Sequence, residues 1–308
     1  MRTLDLLVAV AAGAVISTSS FAANPRSFVA TTGSDTNNCQ RATPCRSFAV
    51  AVANTDAGGE VVALDSGGYG GVTLDKSIAL TAPGGVLAAV NGTITVALAN
   101  ATDQVILDGL SIQNAGTGVD VTATGRVELR NLRLRGNGTG INVNSAAGAV
   151  IRGSDVDIVG GSYGVYLTAT NAGALNVVTF DRLRIDAAYF GIWVGDRTEL
   201  TVSDCVLSGR STNSNQNYGA LLNQATQAAS TTVVTVRNCL VANWYAAFGS
   251  PLATGGSGSR LNLHNNTIQR TTVGAFGHPT YLTVSSFGNN AFIEVGSSKS
   301  GFAVLTEN

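Results

Sequence analysis

Charged residues are scarce in this chain. Lysine, arginine, aspartate and glutamate make up 12% of its 308 residues, against roughly 25% in an ordinary soluble domain. The formal net charge of −1 gives no electrostatic basis for nucleic acid or anionic lipid as the main partner. One methionine and few charges argue against a coiled coil, and an apolar fraction of 44% is too high for a disordered chain.

Long apolar runs are also few. The run Leu6–Ile16 is too short to span a bilayer about 30 Å thick. With Arg2 before it and the small residues of Ser20-Phe21-Ala22 after it, it predicts a secretory signal peptide at residues 1–22; a buried first helix is the alternative. No later segment reaches 18 uncharged apolar residues. We therefore expect a secreted or periplasmic mature chain with no membrane span.

Cysteine and histidine are limited to four and two residues. Cys39 and Cys45 bound a short polar loop, and export permits disulfides, so we expect a bridge between them. A zinc site is the alternative, but the chain has no closely spaced second pair of ligands. No metal site is predicted.

Glycine, by contrast, is abundant at 37 residues, and it recurs within a repeat. A unit typified by Val127–Val143 occurs eight times. Each copy has an alternating apolar stretch, a corner, an apolar residue and a second stretch entered through glycine. The apolar position after the corner is filled by Ile112, Leu134, Ile158, Ile185, Leu207, Val241, Ile268 and Phe292.

This repeat predicts an all-β fold, a right-handed parallel β-helix of about ten coils. Alternation with a period of two is typical of strands, and so short a unit buries its apolar face only by stacking on its neighbours. The corner is expected to be left-handed and hydrogen-bonded along the stack, because Asx side chains tolerate that backbone. The corner residues are Asn131, Asp155, Asp204, Asn238, Asn265 and Asn289. A short helix at Cys45–Thr55 is expected to cap the N-terminal end.

The N-terminal residues carry a resemblance to a known family. The segments concerned are Phe28-Val29-Ala30, Gly33-Ser34-Asp35, Pro44–Phe48, Gly58–Val62 and Gly67-Gly68-Tyr69. They resemble the N-terminal cap of bacterial secreted proteins of the pectate-lyase-like superfamily, and the repeats resemble the same superfamily. The expected organisation is a signal peptide at 1–22, a cap at 23–60 and a parallel β-helix at 61–308. The resemblance implies little about activity, since this superfamily includes lyases, hydrolases, esterases and phage tail proteins.

The catalytic motifs of these enzymes are not found in the sequence. Gly277-His278-Pro279 stands in place of the Gly-His-Gly of polygalacturonase-like enzymes, and Arg184-Ile185-Asp186 in place of Arg-Ile-Lys. The chain also lacks an adjacent Asp pair and the Gln-Asp-Thr motif of pectin-esterase-like enzymes. No catalytic residue is therefore carried over from the resemblance.

Charged side chains nevertheless concentrate on the outward rows of three central coils. Candidates for catalysis, if the protein is an enzyme, are Arg130, Arg152, Asp157, Asp181, Arg184 and Asp186. The resemblance implies that a lyase would use such carboxylates for Ca²⁺ and an arginine as base; no other cofactor is expected. The alternative is structural: Arg133, Asp157 and Arg184 alternate in charge along one row, as cross-strand ion pairs do.

Aromatic side chains recur on the outward rows of the second stretch. Candidates for carbohydrate binding are Tyr163, Tyr166, Phe190, Trp193 and Tyr218. Rings spaced by about 4.8 Å, the distance between stacked strands, suit a platform for sugar rings. The alternative is that the rings cover the sheet beneath adjacent loops. Two polar insertions, Ser208–Asn217 and Pro251–Arg260, occur near these rows.

The sequence leaves the state of one further cysteine pair open. Cys205 and Cys239 occupy the same inward position in successive coils, within reach of a disulfide, or they remain two buried thiols. His264 falls in an outward row with no partner for triad chemistry. We expect an exported, non-catalytic β-helix that binds glycan or presents a rigid surface. The alternative is a polysaccharide lyase or glycoside hydrolase acting on an acidic polysaccharide.

Overall fold

The computed structural model describes residues 24–122, 124–171, 173–187, 189–210, 217–222, 232–249, 259–276, 282–287 and 289–300. The predicted signal peptide at 1–22 lies outside the described residues. Within them the chain forms 26 β-strands and one helix. The strands pair in parallel and form three stacks, here called the first, second and third sheets, around one apolar interior.

The first sheet contains β1 (Asn24–Val29), β2 (Thr55–Ala63), β5 (Ile78–Thr81), β8 (Gln104–Asp108), the first halves of β11 (Arg126–Arg135), β13 (Val150–Val159) and β15 (Asn176–Ala187), then β17 (Thr198–Ser203), β20 (Val233–Arg237), β23 (Ser259–His264) and β25 (Leu282–Phe287). The second sheet contains β3 (Gly67–Gly68), β6 (Ala88–Asn91), β9 (Leu110–Gln113), the second halves of β11, β13 and β15, β18 (Val206–Gly209), β21 (Leu240–Ala242) and the first halves of β24 (Thr267–Phe276) and β26 (Ala291–Ser300). The third sheet contains β4 (Val72–Leu74), β7 (Ile94–Val96), β10 (Thr117–Val121), β12 (Thr139–Ser145), β14 (Tyr163–Ala169), β16 (Phe190–Val194), β19 (Tyr218–Leu222), β22 (Ala246–Gly249) and the second halves of β24 and β26.

Eight turns of the described chain, from β8 to β26, correspond to the eight copies of the repeat. Two shorter turns, β2–β4 and β5–β7, precede them. The apolar position after the corner is in register in all eight copies, from Ile112 through Leu134 to Phe292. Seven of these side chains are buried and Phe292 is partly buried. The predicted parallel β-helix is therefore confirmed.

The corner between the first and second sheets, here called the Asx corner, is left-handed in every one of the eight turns. Its residues are Gly109, Asn131, Asp155, Arg182, Asp204, Asn238, Asn265 and Asn289, with φ between 52° and 77°. Side chains bond along the stack: Asn265 donates to Asn238 at 2.9 Å, and Asn238 to Asp204 at 3.3 Å. The predicted role of the Asx residues is confirmed, and Arg182 occupies this conformation without being an Asx residue.

Glycine opens the strands of the third sheet because successive coils approach closely there. A Cβ on Gly140 would lie 2.5 Å from the backbone oxygen of Gly164, and one on Gly118 would lie 2.7 Å from that of Gly140. These glycines have no left-handed φ. The need for glycine is thus lack of space between coils rather than a special backbone angle.

The N-terminal end is covered by a helix shorter than expected. Helix α1 spans Phe48–Ala53, whereas the sequence predicts Cys45–Thr55. The Ser47 side chain caps it by accepting a hydrogen bond from the Val50 amide at 3.3 Å. The side chains of Phe48, Ala51 and Val52 are buried. The apolar face of α1 therefore closes this end of the interior.

Both cysteine pairs form disulfides. The Cα atoms of Cys39 and Cys45 lie 4.6 Å apart, and those of Cys205 and Cys239 lie 4.5 Å apart. The first bridge, predicted from the short loop, is confirmed. The second links β17–β18 to the equivalent corner of the next coil, which decides a question that the sequence left open.

Candidate functional site

The charged candidates lie on either side of the Asx corner, as the repeat predicts. Arg130, Ser154 and Asp181 follow one another in register on the first sheet. Arg133, Asp157 and Arg184 do so on the second sheet. We call these two rows, together with the Asx corner between them, the corner surface.

The ion pairs of the corner surface differ from those expected. Asp157 accepts a hydrogen bond from Arg135 at 3.0 Å, not from Arg133 or Arg184, its neighbours in the row. Those two arginines are exposed and form no ion pair with any residue that the structure describes. The predicted alternation of charge is present, but the predicted ion pairs along the row are not, because Arg135 reaches Asp157 diagonally.

Other candidates are held by neighbouring charges. Arg130 pairs with Glu128, and Asp186 pairs with Arg210 at 3.1 Å. Arg152 is exposed, on the rung next to Glu128. Exposed pairs of this kind stabilise a fold only slightly.

Arg182, which is not among the candidates predicted from the sequence, forms more hydrogen bonds and ion pairs than the other cations of the corner surface. It donates two hydrogen bonds to Asp155, at 2.7 and 2.8 Å, and also pairs with Asp181. The guanidinium group holds the pKa of the Asp155 carboxyl below its usual range, mainly through these hydrogen bonds. Arg182 has a left-handed φ of 52°. The sequence did not indicate this conformation, because arginine replaces the Asx residue of the other copies.

Two cavities open on the corner surface. The larger, about 640 Å³, lies beneath the loop 82–87 and reaches Asp108, Ser111 and Arg133. The smaller, about 350 Å³, is lined by Asp155, Asp157, Arg182, Arg184, Asp204 and two valines. Since Arg133 and Asp157 are neighbours in register, the cavities lie end to end along the helix axis.

The five aromatic candidates lie on the third sheet and form two ladders, here called the aromatic surface. In the first ladder Tyr163, Phe190 and Tyr218 stack with ring centroids 4.9 and 5.8 Å apart. In the second, Tyr166 stacks on Trp193 at 5.8 Å. Rings of one ladder meet those of the other edge to face, with interplanar angles of 81° to 88°.

Part of the aromatic surface is buried by contacts among its own side chains and their neighbours. Tyr218 is only 7% exposed and belongs to a buried cluster with Ala246, so it is not an open sugar platform. Burial raises the pKa of the Tyr218 and Tyr166 hydroxyls. Tyr245, which the repeat did not mark, meets Tyr218 edge to face at 6.2 Å. Tyr218 therefore fits the structural alternative, in which the ring covers the sheet.

Both ladders begin at a step in side-chain size. On the preceding rung Thr139 lies beside Tyr163, and Asn142 beside Tyr166. The Asn142 amide donates a hydrogen bond of 2.7 Å to Asp120 on the rung before. The first rings, Tyr163 and Tyr166, therefore face small polar side chains on one side and aromatic rings on the other.

The described residues contain no group of three or more His, Cys, Asp or Glu placed to hold a metal ion. The ring of His264 stacks on Phe287, with centroids 4.4 Å apart. His278 lies outside the described residues, as do residues 211–216 and 251–258 of the two polar insertions.

Residues 85–268 match the family described as the right handed beta helix region. The chain belongs to this family. A pectate lyase, Pel9A, has a similar fold over 92% of this chain and 79% of its own, at 13% identity and a TM-score of 0.65. An alginate lyase from Paenibacillus sp. str. FPU-7 is similar over 91% of this chain and 99% of its own, at 15% identity and a TM-score of 0.61.

At identities this low the comparisons establish only the β-helix fold. The resemblance to the pectate-lyase-like superfamily is therefore confirmed for the fold. No curated protein matches the sequence. The two disulfides and the fold are consistent with an extracellular protein. No helix in the part of the chain that the structure describes is both long and apolar enough to cross a membrane.

Proposed function

We propose that this β-helix protein is exported and binds a glycan, without cleaving it, at the aromatic surface of its third sheet. The observation that carries the proposal is the step at the start of the two ladders. Tyr163 and Tyr166 each stack on one ring and face the rung of Thr139 and Asn142 on the other side. A sugar ring on that rung continues the ladder, as sugars stack on aromatic faces.

The polar groups beside the step suit a glycan. Asn142 and Asp120 already share a hydrogen bond, and the remaining amide and carboxylate oxygens accept hydrogen bonds from sugar hydroxyls. The next rings, Phe190 and Trp193, are half-buried, as Tyr163 and Tyr166 are, and they stack on the first pair on the side away from the step. Trp193 and Phe190 thus act as support, and Tyr163 and Tyr166 as the contacting pair.

Export is supported by two independent features. Residues 1–22 have the charge, apolar run and small residues of a signal peptide. The described chain also holds all four of its cysteines in disulfides, which persist in oxidising compartments. Detection of the mature N terminus after residue 22 in a periplasmic or culture fraction tests this part of the proposal.

Glycan binding at the aromatic surface is tested by retention of the mature protein on a panel of immobilised neutral polysaccharides. The decisive variant is Asn142→Tyr, which adds a ring at the place that the sugar is proposed to take while leaving every existing ring intact. We expect it to abolish retention. The control is Phe287→Ala, which removes an exposed ring on another sheet and should leave retention unchanged. Retention of Asn142→Tyr equal to that of the parent contradicts the proposal.

The second candidate function is a polysaccharide lyase or hydrolase. It is favoured by the fold shared with a pectate lyase and an alginate lyase and by the exposed Arg184 beside Asp157. Release of unsaturated or reducing sugar ends from an acidic polysaccharide, lost in Arg184→Ala, would establish it. If Ca²⁺ were needed, adding a chelator would stop that release. Absence of release with and without Ca²⁺ leaves the non-catalytic proposal in place.

A further inference from the structure

We propose that the corner surface is a second binding groove, for an acidic glycan that carries a carboxylate on every second sugar. It lies on the first and second sheets, whereas the aromatic surface lies on the third, so this proposal stands independently of glycan binding at the aromatic surface. Three features carry it: the length of the groove, the arginines without ion-pair partners, and the order of the charges.

The groove is long and open rather than a closed pocket. The cavity beneath loop 82–87 and the cavity at Asp157 and Arg184 meet where Arg133 and Asp157 are adjacent. Together they extend from Thr81 to Val206, across about five spacings between stacked strands, or roughly 24 Å. A groove of this shape accommodates a linear chain along the helix axis.

The groove contains two cations with no ion-pair partner among the described residues. The described residues form six ion pairs in all, and Arg133 and Arg184 take part in none of them. Both are exposed. An unpaired guanidinium group binds a carboxylate through two parallel hydrogen bonds. These two side chains are thus the anchors available to an anionic ligand.

The order of charges selects the spacing of that ligand. Arg133 and Arg184 are two rungs apart, about 9.6 Å, a distance comparable to one disaccharide of an extended glycan. Asp157 lies on the rung between them. One of its oxygens pairs with Arg135, so this rung offers a carboxylate no unpaired cation. The other oxygen repels a carboxylate and accepts a hydrogen bond from a neutral sugar. Alternation of acidic and neutral sugars therefore matches the row.

The same order disfavours more densely charged polymers. A polymer of uronic acid alone would bring a carboxylate against Asp157. A nucleic acid strand carries one phosphate about every 3.4 Å and would meet Asp157 in the same way. The net charge of −1 supplies no general attraction to offset that repulsion.

The test compares hyaluronan, in which glucuronate alternates with N-acetylglucosamine, with polygalacturonate of similar length, by calorimetry of the mature protein at low salt. We expect at least tenfold tighter binding of hyaluronan, falling with ionic strength. Arg133→Ala and Arg184→Ala should each weaken it about tenfold, the value of one charged hydrogen bond. Arg126→Ala is the matched control: Arg126 is exposed on the same strand as Arg133, away from the corner, and its loss should have little effect.

A further variant tests whether the spacing of the charges in the groove, and not only the presence of arginines, selects the ligand. Asp157→Asn keeps the shape of the side chain but removes the repulsion, so polygalacturonate should bind this variant more tightly relative to hyaluronan. Asn142→Tyr, on the aromatic surface, should bind hyaluronan as the parent does. Three results would each overturn the proposal: no binding of hyaluronan, equal binding of the two polymers by the parent, or equal losses in Arg126→Ala and Arg184→Ala. Unchanged circular dichroism excludes misfolding as the cause.

Discussion

The indole nitrogen of Trp244 donates a hydrogen bond of 3.1 Å to the backbone oxygen of Leu207, one coil earlier in the stack. Trp244 is fully buried and is the largest of the buried side chains. Its ring fills the turn between β21 and β22, where glycines of neighbouring coils leave room for it. A Cβ on Gly209 would lie 2.7 and 2.8 Å from two of its ring carbons.

Gly209→Ala should therefore destabilise the fold by about 1–3 kcal/mol, the usual cost of overpacking a filled core. The measurement is the free energy of unfolding in urea. Gly173→Ala is the control, because a Cβ there has nothing within 4 Å and its φ is ordinary. Equal stability of the two variants would show that the turn at Trp244 adjusts freely.

At the Asx corner, the cost of backbone strain can be measured separately from the contribution of a hydrogen bond. Asn265 has a φ of 52° and donates to Asn238. Asn265→Ala loses the bond and puts alanine, which tolerates the left-handed region less well than asparagine, at this φ, so we expect a loss of about 2 kcal/mol. Asn265→Gly also loses the hydrogen bond, but glycine adopts the left-handed region without strain, so we expect a loss of about 1 kcal/mol. Urea unfolding of both variants measures the difference; equal losses would mean that backbone strain contributes nothing here.

The two disulfides should contribute unequally to stability. Cys205 and Cys239 are 34 residues apart, whereas Cys39 and Cys45 are six apart. In the chain-entropy description the longer loop is worth about 4 kcal/mol and the shorter about 2 kcal/mol. Replacing each pair by alanines and comparing urea unfolding tests this order. A larger loss from the Cys39–Cys45 pair would contradict it.

The pair Arg182–Asp155 should make stability depend on pH. Because the pKa of Asp155 is lower in the folded chain, its ionised form stabilises the fold above the ordinary carboxyl pKa. That contribution is lost as pH falls through the folded-state pKa, below about pH 4.

Arg182→Asn removes the pair but suits the left-handed φ, so the melting temperature of this variant should fall less steeply on acidification. Titration of Asp155 by NMR should show a higher pKa in the variant. Arg152→Asn, which removes an exposed charge from an adjoining row of the first sheet, should leave both properties unchanged. If the melting temperatures of the parent and of Arg182→Asn fall equally on acidification, the Arg182–Asp155 pair is not the cause of the acid dependence.

Much of the fold could be predicted from local patterns. The row from Ile112 to Phe292 is in register as expected because a one-residue slip would turn each strand inside out. Asn131, Asp155 and the other Asx residues marked the corner, since few residue types tolerate its backbone. Arg182 was missed for the same reason: arginine gives no signal for a left-handed φ. Trp244 was missed because it lies outside the repeat.

The candidate site was only partly predictable. The five aromatic candidates were placed on the correct rows, but the burial of Tyr218 depends on Ala246 and Tyr245 from a later coil. The disulfide Cys205–Cys239 required only that two coils stack in register, yet the sequence could not distinguish it from two thiols. Register can be read from spacing, whereas contacts across coils depend on where each side chain turns.

By itself, the sequence determined the parallel β-helix and the inward or outward side of each position, because both follow from a period of two and the spacing of copies. Only the tertiary structure decided that Asp157 binds Arg135 while Arg133 and Arg184 form no ion pair with a described residue, and that Tyr218 is buried. Long side chains reach several positions along a stack. Which one they contact is settled by packing among coils, not by the residues next to them in the chain.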